Sequence, residues 1–349
     1  MHSRGILMRR WLKIAGLCLL TLLVLVAAAL PALVGIRPFI GPRARPLTER
    51  RFEPTPQRLE RGQYLVNSVS GCVYCHSELD WQSPGFPIKV GTVGGGRSWA
   101  EEGLPWISAP NITPDPQTGA GNWTDDMLAR AIREGIGHDG RALFPLMPYP
   151  QYKYMSDEDL ASVIVYTRSL TPLRRTLAAS DIPFPVNRLI NGVPEPVATS
   201  VPDPNRGSPV AYGEYLVRMA ACRDCHTPAD AQGAAVPGMD FAGGFPLIGP
   251  YGQVASTNVT PAPSGIPYYT DELFLEMMRM GRVKARKIHD AMPWSFYGTQ
   301  TDDDLKAMFA YLKTVTPVQH RVDNSLPPTD CPRCGNRHGA GDQNQPASN

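Results

Sequence analysis

The strongest constraint on this chain is that most of it is written twice. Gly62-Gln63-Tyr64-Leu65-Val66 returns as Gly213-Glu214-Tyr215-Leu216-Val217. Each copy runs shortly into Cys-x-x-Cys-His: Cys72-Val73-Tyr74-Cys75-His76 and Cys222-Arg223-Asp224-Cys225-His226. Asn111-Ile112-Thr113-Pro114 matches Asn258-Val259-Thr260-Pro261, and Trp123-Thr124-Asp125-Asp126 matches Tyr269-Thr270-Asp271-Glu272. Met147-Pro148 matches Met292-Pro293, and Ser156-Asp157-Glu158-Asp159-Leu160 matches Thr301-Asp302-Asp303-Asp304-Leu305. Tyr64 and Tyr215 are 151 residues apart, Met147 and Met292 are 145 apart, so the spacing hardly drifts. A period this long marks two copies of one structural unit. A chain of 349 residues has room for two domains.

Cys-x-x-Cys-His is the attachment signature of c-type haem. Two thiols a short turn apart add to the two vinyl groups of one macrocycle, and the adjacent imidazole becomes the proximal iron ligand. A redox Cys-x-x-Cys does not need the histidine. A zinc site made from both pairs would leave both histidines idle. Simple disulfides would not require the motif to recur with its histidine. The reading is therefore two covalently bound haem c groups, on Cys72 and Cys75 and on Cys222 and Cys225, with His76 and His226 on the irons.

The sixth ligand separates a carrier from a catalyst. The repeat filters the candidates: Met147 and Met292 hold the same place, each followed by Pro and an aromatic. His138 and His289 do not correspond, and Met155 falls opposite Gln300. Met147 and Met292 are thus the expected axial ligands. Met127, Met155, Met277, Met278 and Met280 are expected to fill the core. Tyr64, Tyr215, Trp123 and Tyr269 are expected to pack a haem edge or the core. A third pair, Cys331-Pro332-Arg333-Cys334, runs into Gly335 and lacks the adjacent histidine. A local disulfide between Cys331 and Cys334 is its default reading in an oxidising compartment. A zinc knuckle completed by His338 is weaker, with only three ligands in view.

Arg4, Arg9, Arg10 and Lys13 precede an uncharged run from Ile14 to Ile36. Its 23 residues exceed the core of a secretory signal and suit a membrane-spanning helix. A retained anchor is therefore expected over cleavage near Ala27-Ala28-Ala29, with Pro31 bending or ending the helix. Cys18 reads as an apolar membrane residue. Five arginines follow the run, so positive charge does not set its orientation. Net charge is only +2, and no nucleic-acid partner is implied.

The expected layout is a short cytoplasmic N-terminus (1–13), an anchor or signal (14–36), and a first domain (58–172). A Pro-rich connector (173–209) then wraps one domain on the other, followed by a second domain (210–318). A polar surface tail (319–349) carries the last Cys pair. Within the first domain, 63–70 suits a helix. Thr124 and Ser156 read as N-caps of helices reaching about Glu134 and Leu170, and Thr301 caps the counterpart of the latter. Pro172 and Pro317 stop these last helices.

These motifs resemble the class I cytochrome c superfamily, across residues 58–318. The Gly-x-Tyr-Leu-Val, Asn-x-Thr-Pro and Met147-Pro148-Tyr149 segments, with the helix start at Ser156, are similar to membrane-associated multi-haem cytochrome subunits. Those subunits accept electrons from periplasmic alcohol, aldehyde and gluconate-type dehydrogenases. The resemblance implies an all-α fold of two tandem class I cytochrome c domains behind an N-terminal transmembrane helix, with the haem domains in the periplasm. It implies electron transfer and no catalysis. Electrons would come from a periplasmic dehydrogenase or other respiratory donor and leave to quinone, another cytochrome or a terminal oxidase. Such subunits commonly carry three haem motifs, whereas this chain has two. The rival class is a diheme cytochrome c peroxidase, which needs one open iron face. A methionine at the same place in both halves argues against it.

Overall fold

The structure, a computed structural model, describes residues 2–346. The apolar run lies in α1 (His2–Val34), where an 18-residue window within Arg10–Val34 has a mean hydropathy of 2.8 and no buried residue. It is long and apolar enough to cross a membrane. Pro31 sits one turn from its end, and the helix stops at Val34, as its lost backbone bond would favour. One turn, α2 (Arg37–Ile40), follows.

The chain leaving this helix is pinned to the globular part by one arginine. Both Arg45 Nη atoms donate to the Asp126 carboxylate at 2.7 Å, and Nε donates to Glu134 at 2.7 Å. Asp126 also accepts the Thr48 N–H at 2.7 Å. Both carboxylates are buried, so removing the cation leaves two uncompensated charges. Arg45→Ala should cost about 3 kcal/mol and open residues 42–55 to limited proteolysis. Burial works to raise the Asp126 carboxyl, but Arg45 and Thr48 outweigh it and hold it below its ordinary value. Its contribution is therefore complete above about pH 4 and is lost as pH falls through the lowered value. Burial raises Glu134, so its effect has the opposite sign: stability is lost as pH rises through that raised value.

The first half contains α3 (Pro56–Tyr64), which widens into a π turn over Leu65–Val69, then α4 (Cys72–Cys75), α5 (Asp125–Glu134), α6 (Tyr149–Tyr152) and α7 (Asp157–Ser169). A single turn, α8 (Val186–Leu189), interrupts the connector. The second half repeats the order with α9 (Pro209–Met219), α10 (Cys222–His226), α11 (Asp271–Met280), α12 (Trp294–Tyr297) and α13 (Asp302–Leu312). The three expected caps are in place. Thr124, Ser156 and Thr301 accept the N–H three residues on at 3.1–3.2 Å, and Thr270 does the same for α11. The helix expected over 63–70 begins earlier, at Pro56, because Thr55 caps it.

The helices carry the core, but the expectation of an all-α chain needs correction. Among the described residues, four two-stranded antiparallel ribbons lie in the loops: β1 (Arg97–Trp99) with β2 (Leu104–Ala109), β3 (Pro246–Gly249) with β4 (Gly252–Ala255), β5 (Arg282–Val283) with β6 (Arg286–Lys287), and β7 (Pro328–Asp330) with β8 (Arg337–Gly339). Long loops must satisfy their own backbone groups, and short ribbons do this without a periodic sequence pattern.

In each half the first and last helices cross at a glycine. A Cβ on Gly62 of α3 would overlap the Ser162 carbonyl of α7, and a Cβ on Gly213 of α9 would overlap the Ala307 carbonyl of α13. Their apolar faces join one continuous core: Leu65, Val66, Leu160 and Ile164 from the first half, Leu216, Met219, Leu305 and Phe309 from the second. The halves also exchange a tyrosine. Tyr64 donates to Asp304 at 2.6 Å, and Tyr215 donates to Asp159 at 2.6 Å. Each hydroxyl accepts a helix-cap N–H of the other half, from Thr301 at 3.2 Å and from Ser156 at 3.3 Å. Tyr215 lies in the core and Tyr64 packs against it, within what the sequence leads one to expect, and their hydroxyls also bridge the halves.

The connector differs from expectation too. It lies largely along the first half, with the Leu173 N–H on Thr113 Oγ1 at 3.1 Å and the Asp181 N–H on the Trp106 carbonyl at 2.9 Å. Ile182 and Ile190 complete a small core with Ile107 and Ala142. The tail is not merely a polar surface strand: Cys331 and Cys334 are buried with Met239, Ala242 and Val318.

Candidate haem-attachment sites

Both Cys-x-x-Cys-His motifs fold into single helical turns, α4 and α10, so the two thiols of each stand one turn apart. The turn alone does not aim the histidine; a carbonyl does. His76 Nδ1 donates to the Pro110 carbonyl at 2.8 Å, and His226 Nδ1 donates to the Thr257 carbonyl at 2.8 Å. A carbonyl can only accept, so the proton sits on Nδ1 and the Nε2 lone pair is left for a metal. Burial lowers the pKa of both imidazoles, which keeps them neutral as ligation requires.

The next residue holds each carbonyl still. Asn111 Oδ1 accepts the N–H and hydroxyl of Thr113 at 3.0 and 2.7 Å, while Nδ2 donates to the Leu173 carbonyl at 2.7 Å. Asn258 repeats this with Thr260 at 2.9 and 2.7 Å and with the Val318 carbonyl at 2.8 Å. Both asparagines are buried. The Asn-x-Thr-Pro segments, which the sequence offered only as repeat markers, thus clamp the loop whose carbonyl accepts from the histidine to the chain after the last helix. A second bond fixes the backbone: the Gly96 and Gly243 N–H groups donate to the His76 and His226 carbonyls at 2.7 Å. Free thiols one turn apart, with a neutral imidazole presenting Nε2, fit covalent haem c.

Met147 and Met292 sit in matching settings. Each is half-buried on a loop, precedes a proline, and leads into a one-turn helix, α6 or α12. The aromatic that opens that helix lies on the glycine ending the preceding long helix. A Cβ on Gly281 would meet the Trp294 ring, and one on Gly135 would lie 2.5 Å from the Tyr149 ring. Both glycines have positive φ, 63° at Gly281 and 70° at Gly135, where a side chain is strained in any case. The methionine loops are therefore positioned by the ends of α5 and α11. Among the other methionines, Met155 and Met278 fill the core as expected, and Met277 lines it. Met127 is half-buried. Met280 is 53% exposed, a correction: it falls on the outer face of α11. His138 stacks on Trp123 at 4.4 Å, whereas His289 meets the edge of Tyr251 at 5.0 Å. The two are as unlike in surroundings as in sequence position.

The two attachment turns face each other across the junction of the halves. The Tyr74 ring of the first motif lies 5.6 Å from Phe296 of α12. Asp224, at the same place in the second motif, accepts from Gln151 Nε2 of α6 at 2.8 Å. Burial, Asp224 and then Cys75 of the other half push the Cys225 thiol up to about 12. Each half thus braces the attachment turn of the other through the helix that follows its Met-Pro.

No protein-family model matches the chain. Several curated proteins do. The cytochrome c subunit of a quinone-type alcohol dehydrogenase from Gluconobacter oxydans is 30% identical over 285 residues, 74% of this chain and 55% of that protein. The gluconate 2-dehydrogenase cytochrome c subunit of Pantoea cypripedii is 34% identical over 182 residues, 49% of this chain and 38% of its own length. A protein described as diheme cytochrome c-type from Cereibacter sphaeroides is 27% identical over 268 residues, 72% of this chain and 84% of that one. The chain spans about half the length of the alcohol dehydrogenase subunits it matches. With two Cys-x-x-Cys-His turns held in the same way, the chain is a homologue of the cytochrome c subunits of alcohol and gluconate dehydrogenases and of a diheme c-type cytochrome.

Proposed function

We propose that this chain is an electron carrier with two covalently bound haem c groups and no catalysis of its own. Residues 58–172 and 210–318 would form tandem class I cytochrome c domains, the first ligated by His76 and Met147, the second by His226 and Met292. The observation that carries the reading is the pair of attachment turns, each braced at the junction by the helix after the other half's Met-Pro. Haem c, when bound, supplies the one-electron couple. The protein's part is to hold neutral His76 and His226 by their Nδ1 protons and to fix both methionine loops on α5 and α11. It also keeps the two sites in a constant relation through the shared core and the exchanged tyrosines. A rigid relation between redox sites suits relay, because electron transfer then needs no domain movement.

The dehydrogenase subunits among the relatives support a periplasmic dehydrogenase as donor, with quinone, another cytochrome or an oxidase as acceptor. Helix α1 would anchor the protein with its first residues in the cytoplasm and both haem domains in the periplasm. Spectroelectrochemical titration of the purified protein, repeated under carbon monoxide, tests the carrier reading. Two haems at positive potential, both indifferent to carbon monoxide, are expected. A haem that binds carbon monoxide would have an open iron and sink the carrier reading for that half.

A further inference from the structure

Four side chains from the tail meet in a buried cluster that has no part in haem attachment: His320, Cys331, Cys334 and His338. None is more than 3% exposed, and their ligand atoms all lie within 4.8 Å of one another. Cys331 Sγ is 3.4 Å from His320 Nε2, Cys334 Sγ is 3.5 Å from His338 Nε2, and the two Nε2 atoms are 3.2 Å apart. A tetrahedral zinc ion, with Zn–N about 2.05 Å and Zn–S about 2.3 Å, spaces its ligands about 3.3 Å N to N and about 3.5 Å N to S. The cluster already has those spacings.

The protonation pattern points the same way. His320 Nδ1 lies 2.8 Å from the Ala242 carbonyl, and His338 Nδ1 lies 3.0 Å from the Gly339 carbonyl. Both carbonyls can only accept, so both protons are on Nδ1. The two Nε2 lone pairs then face each other at 3.2 Å with no hydrogen between them. In a buried setting that contact is repulsive unless a cation sits between the nitrogens. The backbone is shaped for the thiols as well. Cys331-Pro332-Arg333-Cys334 is a tight turn closed by the Gly335 N–H on the Cys331 carbonyl at 2.9 Å, with Gly335 at φ 77°. Both thiols are free.

We propose that His320, Cys331, Cys334 and His338 bind one structural Zn²⁺ ion. Binding releases the two thiol protons to solvent, and two thiolates then balance the charge of the ion. All four positions are filled by protein, so the site is closed to substrate and acts as a staple. It fastens the tail to the loop over Ala242–Gly244. A Cβ on Gly244 would come within 2.8 Å of His320, and the neighbouring Gly243 N–H holds the His226 carbonyl. The ion therefore buttresses the loop behind the second haem histidine without touching it.

Elemental analysis of the purified haem-loaded protein, with iron as internal count, tests this directly. One zinc per two haem irons is expected, falling to near none in the Cys331→Ser, Cys334→Ser double variant. That variant should keep both haems while its tail becomes sensitive to protease. Cobalt(II) exchanged into the site should show the charge-transfer bands of thiolate ligation. A Cys331–Cys334 disulfide, seen as a mass lighter by two hydrogens and thiols inert to alkylation in denaturant, with no stoichiometric zinc, would overturn the proposal. So would copper found in place of zinc.

Discussion

Met292→Ala should lower the midpoint potential of one haem by roughly 0.2 V, a quarter of the ~0.8 V range over which axial ligands set haem potentials, and leave the other nearly unchanged. A thioether opposite histidine raises the potential of a haem; an alanine leaves the face to water or an added ligand. The same variant should therefore bind carbon monoxide at one of two haems. Met147→Ala should do the same to the other haem. The matched loops make this a paired test, because both methionines precede a proline and a helix turn seated on a helix-ending glycine. Met155→Ala is the control. Met155 is fully buried in the core, so its loss should cost about 2–5 kcal/mol of stability and leave both potentials in place. Unchanged potentials and no carbon monoxide binding in Met292→Ala would mean that another group closes the iron.

What the sequence made legible was local chemistry. A helix cap acts on an N–H three residues away, so Thr124, Ser156 and Thr301 could be read from spacing alone, and each caps as expected. The Cys-x-x-Cys-His turns are equally local. What was hidden depends on partners far along the chain. Tyr64 and Asp304 are 240 residues apart, and nothing in either half shows that each lends a tyrosine to the other. A signal was present: both tyrosines and both aspartates recur in the repeat, and a core tyrosine needs no recurring acid. His320 was missed for a similar reason. It lies 11 residues before Cys331, outside any short motif. Yet its backbone N–H bonds Ser264 Oγ at 2.8 Å just as that of Arg175 bonds Thr118 Oγ1 at 2.9 Å. The repeat thus runs on past Pro317, and a histidine stands where the first half has an arginine. The ribbons were invisible because strands of two to six residues carry no usable period.

Gly213→Ala should be strongly destabilising for a single added methyl group. The added Cβ would meet the Ala307 carbonyl and the Met308 nitrogen, which belong to the backbone of α13 and cannot rotate away. The helices must separate, at about 3 kcal/mol for overpacking of this kind. The better helix propensity of alanine returns only about 1 kcal/mol. A net loss of about 2 kcal/mol should lower the melting temperature by roughly 5–10 °C, and Gly62→Ala should behave alike, because its Cβ would meet the Ser162 carbonyl. Gly192→Ala, where no atom lies within 4 Å of the new carbon, should stay within about 0.5 kcal/mol of the parent. The consequence reaches beyond one helix pair. Tyr215 rides on α9 two residues after Gly213 and bonds Asp159 of the other half, so a displaced α9 also loosens the junction. Gly213→Ala should therefore broaden the unfolding transition as well as lower it, the second half melting ahead of the first. A variant that melted later, or in one sharp step at the parental temperature, would mean that α9 and α13 do not meet at this glycine.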